Sequence, residues 1–291
     1  MMTYDEFKKV LTEAVQENVG PEKKVYLKFV KKCNGMMREG ITYKCEDSEE
    51  IISGVPIVYL DDLYESYEEE GNLAEIIACV VNVFMNSEPP EEVFSVPDWN
   101  LNKNNVFMKL INPKYNLHML DSHVHKQFLD LCIVFSISLG NASMDITKQM
   151  LETWSITEEE LYKTALENQR SNVCVLDDLR SFLPPMMVME GDDAPYMFVI
   201  TNENRLYGAS EIICTERLQE FAEIQNSNLY LLPSSRHEML LICEENAASA
   251  EELQKVVYEI NHNEAVLRWE DYLSDSVYYY DRLEGKITIA A

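Results

Sequence analysis

Within the run Pro233-Ser234-Ser235-Arg236-His237-Glu238, a hydroxyl, an imidazole and a carboxylate fall inside five positions. Hydrolases use such groups as nucleophile, base and orienter. Ser235, His237 and Glu238 are therefore candidate catalytic residues. Triads are assembled from separated segments, however, and no G-x-S-x-G elbow occurs here. The same residues fit a tight loop between strands, in which serine hydroxyls bond the local backbone. Ser234, Ser235, Arg236 and His237 also make a candidate binding loop.

Two other groupings could do chemistry. His118, Asp121, His123 and His125 lie close together, and on a strand His123 and His125 share a face, as a metal requires. The spacing implies no fourth ligand, so a hydrogen-bonding loop is the competing reading, and no cofactor is expected. Asp275, Tyr278, Tyr279, Tyr280 and Asp281 form an aromatic and acidic cluster near the C-terminus. Tyrosines beside carboxylates can make a recognition surface, with Tyr278, Tyr280 and Asp281 as its members. Three consecutive strand tyrosines must face both sides, so at least one belongs to the core. No Walker loop, G-x-G-x-x-G, H-E-x-x-H or EF-hand spacing is present.

Positioning these residues falls to residues 197–260, where the secondary-structure pattern is clearest. Residues 197–200 are a short apolar run, followed by the turn residues 201–204. Residues 206–213 read as a second strand, with Gly208 marking a bulge or a close backbone approach. Thr215 can cap a helix bearing Leu218, Phe221 and Ala222 on one face, ended at residues 226–228. Residues 229–232 and 239–243 are apolar, β-forming runs. Their connection is too short for a parallel crossover, so they must be antiparallel. Ser249 and Glu252 form a capping box, and Leu253, Val256, Val257 and Ile260 follow at helical spacing. The expected order is β-β-α-β-β-α, an α+β fold of mainly antiparallel sheets with amphipathic helices on one face.

Upstream, Thr3 and Glu6 form another capping box, and Phe7, Val10, Leu11, Ala14 and Val15 make a helical stripe stopped at Gly20-Pro21. Strands are expected near residues 25–32, 39–45 and 56–60, with a turn at Asn34-Gly35. Helices follow at 61–70, with Gly71 as breaker, and at 73–86. Residues 87–104, holding Pro89, Pro90 and Pro97, are the expected linker between an N-terminal α+β region, 1–90, and a C-terminal α+β domain, 105–291. Strands are expected at 106–111, 128–139 and 142–146, and a helix from Thr157 to Asn168. Residues 112–126 read as polar and irregular. Residues 170–193, with Pro184-Pro185 and Met186-Met187-Val188-Met189, read as a connection.

The 291 residues include 51 acidic and 24 basic ones, a formal charge of −27. Nucleic-acid phosphates and anionic membranes repel such a chain, which argues against ordinary nucleic-acid binding. Seven dispersed cysteines and no C-x-x-C point to reduced thiols, and no N-terminal signal segment is evident, so a cytoplasmic setting is expected. No apolar run is long enough to span a bilayer.

At residues 206–223, 228–242 (NLYLLPSSRHEMLLI) and 273–281 (LSDSVYYYD), the chain resembles an uncharacterised family common in Firmicutes, especially gut Clostridia, known only as a domain of unknown function. LPSS-x-HE is the most specific segment. The resemblance extends through 57–84, 128–137 and 154–168. A second likeness is to a family of small bacterial proteins with a strand pair and a helix starting W-x-[IV]-[ST]-x-[ED]-E-L. Neither resemblance implies a reaction, a cofactor or site residues. Three functions stay open: an interaction or regulatory protein binding an unknown protein partner through the C-terminal region, a hydrolase using Ser235 and His237, and an acidic mimic of nucleic acid.

Overall fold

A computed structural model of the chain describes residues 2–45, 55–86, 96–140, 142–183, 196–263 and 265–291. The chain forms two compact units, Met1–Ser95 and Val96–Ala291.

In the first unit, helix α1 (Tyr4–Val19) starts at the Thr3–Glu6 capping box and stops at Gly20, whose φ of 83° suits glycine. Its Phe7, Leu11, Val15 and Val19, at i, i+4 spacing, are all buried. Strands β1 (Lys23–Lys31), β2 (Met37–Cys45) and β3 (Val58–Tyr59) form an antiparallel sheet in that order. The β1–β2 turn uses positive φ at Asn34 and Gly35, as Asn-Gly predicts. Helices α2 (Leu60–Glu70) and α3 (Leu73–Asn86) follow, separated by Gly71 in the left-handed conformation. Ile76, Val80 and Phe84 of α3 join the α1 stripe and Ile41 in one core. The Gln16 side chain reaches across to Val25 N–H and the Gly20 and Lys23 carbonyls, pinning α1 to β1.

The second unit holds two antiparallel sheets. In the smaller, β6 (Leu131–Leu139) is central and buried almost throughout. β4 (Val106–Ile111) pairs with one edge of it, while β5 (His125–Phe128) and β7 (Ala142–Asp145) pair in succession with the other. Short helix α4 (Trp99–Asn102) precedes β4, α5 (Leu117–Leu120) lies between β4 and β5, and α6 (Lys148–Trp154) and α7 (Glu158–Ser171) follow β7. Thr157 caps α7 through the Glu160 N–H.

The larger sheet has six strands in the order β13-β12-β10-β11-β9-β8. These are β8 (Cys174–Asp178), β9 (Phe198–Asn202), β10 (Leu229–Ser235), β11 (Glu238–Cys243), β12 (Tyr278–Asp281) and β13 (Lys286–Ile289). Helices α8 (Thr215–Gln225) and α9 (Ala250–Asn261) flank β10–β11.

Here the structure departs from several expectations. Residues 206–213 are not a strand: Gly208–Ile213 form a 3-10 turn, because the left-handed Arg205 and Tyr207 curl the backbone out of the sheet. The β-β-α-β-β-α order survives with β8 as its first member, a strand inside the segment expected to be a connection. Thr215 is the first residue of α8 rather than its cap, which is Cys214. Helix α5 and the start of β5 fall within residues 112–126, expected to be irregular, and helix α6 had no expectation. Residues 184–189 and half of the expected linker, 87–95, lie outside the described residues.

The helices also do not share a face. Tyr280, Leu229 and, through Leu231, Leu241, Phe198 and Tyr278 sit opposite one another in register, so they point to one side. That side meets α8, through Tyr280 to Gln219 and Phe198 to Phe221. Leu232 and Ile242 point the other way and pack with Leu253 and Val257 of α9. With both faces covered, β10 and β11 carry adjacent buried residues, Leu231 with Leu232 and Leu241 with Ile242, instead of alternating polarity.

Candidate functional site

Ser235 faces Glu238 across the β10–β11 hairpin, leaving only Arg236 and His237 between the strands. The expected six-residue loop is therefore shorter, and the strands longer. A bulge falls between Pro233 and Ser235. Pro233 lies past the residues that β12 pairs, 229–231, so its missing N–H interrupts no ladder on that side.

Each candidate catalytic side chain is engaged within the hairpin or its supports. The Ser235 Oγ accepts the His237 backbone N–H at 3.0 Å. The Ser234 hydroxyl donates to Glu238 at 3.3 Å. The His237 ring turns away from Ser235. Its Nδ1 accepts the Tyr207 N–H at 3.2 Å, so the proton of the neutral ring lies on Nε2, which faces Asp271 Oδ1 at 3.1 Å. Asp271 also binds Arg236, through the guanidinium at 2.7 Å and through the Arg236 N–H to its carbonyl at 2.8 Å. Burial pushes the Asp271 carboxyl up, but the His237 bond and the Arg236 charge together outweigh it and hold it below the usual range. A Ser–His pair of the hydrolase kind is thus not assembled: the serine serves the turn and the ring serves Tyr207 and Asp271.

The hairpin tip is locked from below. Thr201 donates its hydroxyl to the His237 carbonyl at 2.7 Å. A Cβ on Gly208 would stand 2.2 Å from that hydroxyl oxygen, 2.6 Å from Asn202 N and 2.7 Å from His237 O. Gly208 is the close approach its place in the sequence suggested, though in a 3-10 turn. Tyr207 stacks on Phe107 with centroids 6.0 Å apart and lies under Lys109, whose Nζ is 4.4 Å from its ring centre. Lys109 pairs with Asp145 at 2.8 Å, and the Ser136 hydroxyl donates to the same oxygen at 2.6 Å. Burial opposes ionisation of Asp145, yet Lys109 and Ser136 keep its carboxyl below the usual range.

Two of the three tyrosines in the cluster are core, and Tyr279 faces the other side half-buried. Tyr278 and Tyr280 are 0% exposed, because both point to the α8 side of the sheet. Tyr278 donates its hydroxyl to Asp130 at 2.7 Å, and Ser274 and Ser276 donate to the other oxygen. Burial and the Asp130 charge push the Tyr278 phenol far up. Asp281 accepts the N–H groups of Leu283 and Glu284 and so shapes the β12–β13 turn. Tyr278 and Tyr280 are thereby core residues rather than a recognition surface, while Asp281 is half-buried.

His125 opens strand β5 of the smaller sheet, and His123, two residues before it, bridges to Thr147. Their Nδ1 atoms face backbone carbonyls, Met119 O at 2.9 Å and His123 O at 3.1 Å. Among the described residues, no three His, Cys, Asp or Glu side chains converge as a metal site would need.

Sequence reasoning missed two features of this unit. One is a ring cluster: Trp269 stacks on Tyr272 at 4.7 Å and 13°, Tyr115 meets Trp269 edge-on at 4.9 Å, and His262 lies 5.9 Å from Tyr272 and 4.1 Å from Tyr258. His262 also approaches Asp275 at 3.0 Å. Tyr115 and Tyr258 are 42% and 55% exposed, and Leu117, Ile260 and Val266 nearby in sequence are exposed too. The other is a cavity beside α7. Both draw on segments far apart in sequence, and the single exposed aromatics gave no local signal.

A family model described as "Family of unknown function (DUF5688)" matches residues 4–282. No curated protein and no solved structure matches the chain.

Proposed function

This chain belongs to the DUF5688 family, a family of unknown function, and we propose that it acts as an interaction protein whose second unit docks a cationic segment of a protein partner. The observation that carries this reading is the ring cluster of the exposed Tyr115, Tyr258 and His262 with the half-buried Trp269, and Asp275 beside it. Aromatic side chains with carboxylates alongside suit lysine and arginine, which sit over ring faces and pair with the acids. The chain's charge of −27 favours encounter with a basic partner and disfavours duplex DNA. A reducing, cytoplasmic setting fits the free thiols found among the described residues.

The test is titration with a labelled oligolysine peptide, with oligoglutamate as control. Tyr115→Ser and Trp269→Ser leave the net charge unchanged, so a drop of about tenfold in affinity is expected if rings contribute the usual cation–π increments. Unchanged affinity in both variants would reduce the binding to unspecific charge attraction and end the reading. Trp99 and Trp154 pack on each other at 5.3 Å, so loss of a fluorescence change in Trp269→Ser also assigns the signal.

A further inference from the structure

The β1–β2 hairpin of the first unit carries a charge opposite to that of the chain. Residues 23–44 hold six lysines and Arg38 against one acid, Glu39. Glu39 is engaged by Lys8, and Arg38 by Asp61 and Asp62. Lys24, Lys28 and Lys31 are exposed, and among the described residues no carboxylate pairs with them. Lys24 stands directly opposite Lys44. Like charges so placed oppose strand pairing, so the needs of the sheet do not explain them.

β1 is also an edge strand, with β2 as its one neighbour among the described residues. All nine of its residues pair with β2 without a register shift, so its outer side is regular. Gln16 shows which groups point outward. Its side chain accepts the Val25 N–H at 2.8 Å and donates to the Lys23 carbonyl at 3.0 Å, away from β2. The Lys32 N–H turns the other way, to the Met36 carbonyl across the hairpin. Backbone groups alternate in direction along an antiparallel strand, so the N–H and C=O of Leu27, Phe29 and Lys31 point outward as well. Among the described residues nothing bonds them there. Gln16 thus fills a partner's place at one end of the edge, and residues 27–31 are left open. Phe29, at the middle of the open stretch, is 62% exposed.

We propose that this edge takes up an extended acidic peptide segment of a protein partner as a further antiparallel strand. Its backbone bonds the outward groups of Leu27, Phe29 and Lys31, which gives affinity, and its alternate side chains give specificity. Carboxylates opposite Lys28 and Lys31 meet their charges, and an apolar residue opposite Phe29 covers the ring. A second copy of the chain is a poor occupant, because β1 against β1 sets lysines beside lysines. Nucleic acid offers phosphates to the lysines but no strand backbone to the edge. The site lies in the first unit and does not depend on the ring cluster of the second.

The probe is the end-blocked peptide ETVEVT, which sets glutamates opposite Lys31 and Lys28 and a valine opposite Phe29. QTVQVT is the charge control, and ETVEVT with its first valine N-methylated is the backbone control. Binding is followed by calorimetry and by amide hydrogen exchange on the full chain. In the free protein Leu27, Phe29 and Lys31 should exchange fast, and Tyr26, Lys28 and Val30 slowly. Saturating ETVEVT should slow the first three by about tenfold or more. QTVQVT should bind several-fold more weakly, and Lys28→Gln with Lys31→Gln should weaken ETVEVT to a similar extent, as two surface ion pairs imply. The N-methylated peptide should bind about tenfold more weakly, since its methyl group replaces the proton that the Phe29 carbonyl accepts. Tyr115→Ser and Trp269→Ser should leave ETVEVT binding unchanged, which separates this site from the docking of cationic segments. Absence of saturable binding would mean that the lysines only guard the edge against self-pairing, and would overturn the proposal. Equal binding of QTVQVT, or binding without protection of Leu27, Phe29 and Lys31, would overturn it as well.

Discussion

His237 and Asp271 meet at 3.1 Å, and the contact fixes the orientation of the imidazole at the tip of the β10–β11 hairpin. The Tyr207 N–H holds the opposite nitrogen, so one ring ties together a left-handed residue, a hairpin turn and the segment before β12. A histidine used in this way is a brace, and its neighbours set how the unit responds to acid.

Asp271 and Asp145 are both held below the ordinary carboxylate range by paired cations and hydrogen bonds that outweigh their burial. Their contribution to stability is present above the unfolded value, about 3.9, and is lost as pH falls through the depressed folded values. Denaturant midpoints should hold through pH 5 and fall below about pH 4. Asp145→Asn and Asp271→Asn should each be less stable at pH 7, by about 1–3 kcal/mol, and should lose less on acidification. An unaltered pH dependence in both variants would show that other carboxylates govern acid unfolding.

Ser235→Ala removes the acceptor for the His237 N–H in the turn. Thermal and chemical unfolding should show a loss of about 1 kcal/mol. Ser234→Ala should cost less, since its longer bond reaches a half-buried carboxylate. A wild-type melting temperature for Ser235→Ala would remove the structural role assigned to that hydroxyl.

Gly208→Ala should destabilise the second unit by about 1–3 kcal/mol or more, as overpacking does. Two of the three atoms that its methyl would strike are backbone and cannot move aside cheaply. Gly71→Ala in the first unit is the contrasting case. There φ is 69° and nothing lies within 4 Å, so only the left-handed penalty of about 1 kcal/mol applies. Equal, small losses in both would mean that the approach beneath His237 relaxes freely.

All seven cysteines should be alkylated in denaturant without reductant, as counted by intact mass. In the folded protein Cys79, which is exposed, should react before the buried Cys132, Cys214 and Cys243. Cys214 should be among the slowest, because burial and the nearby Glu216 push its thiol up to about 11 and suppress the thiolate. Fewer than seven adducts would reveal a bridge, and rapid labelling of Cys214 would indicate that this region opens readily.

Local chemistry made much of the fold legible. The Thr3, Thr157 and Ser249 caps, the i, i+4 stripe of α1 and the short span between residues 232 and 239 each specify structure within a few residues. The strand expected at 206–213 failed for a physical reason. Its apolar residues are buried against neighbours rather than by pairing, and the left-handed Tyr207 is invisible in a pattern of polarity. β8 was hidden by its acidic end, Asp177-Asp178, at the edge of the large sheet.

By itself, the sequence determined the α+β class, the acidic charge, the caps and turns, and membership of a family, since these depend on neighbouring residues or on composition. Tertiary structure decided what each candidate side chain does. It turned His237 toward Asp271, 34 residues away, and buried Tyr278 against Asp130, 148 residues away. It also left the oxygen of Gln169 without a donor. Those outcomes rest on which face of a sheet is covered and on what stands opposite, and hydrogen bonds and burial between distant segments are set only when the chain has closed on itself.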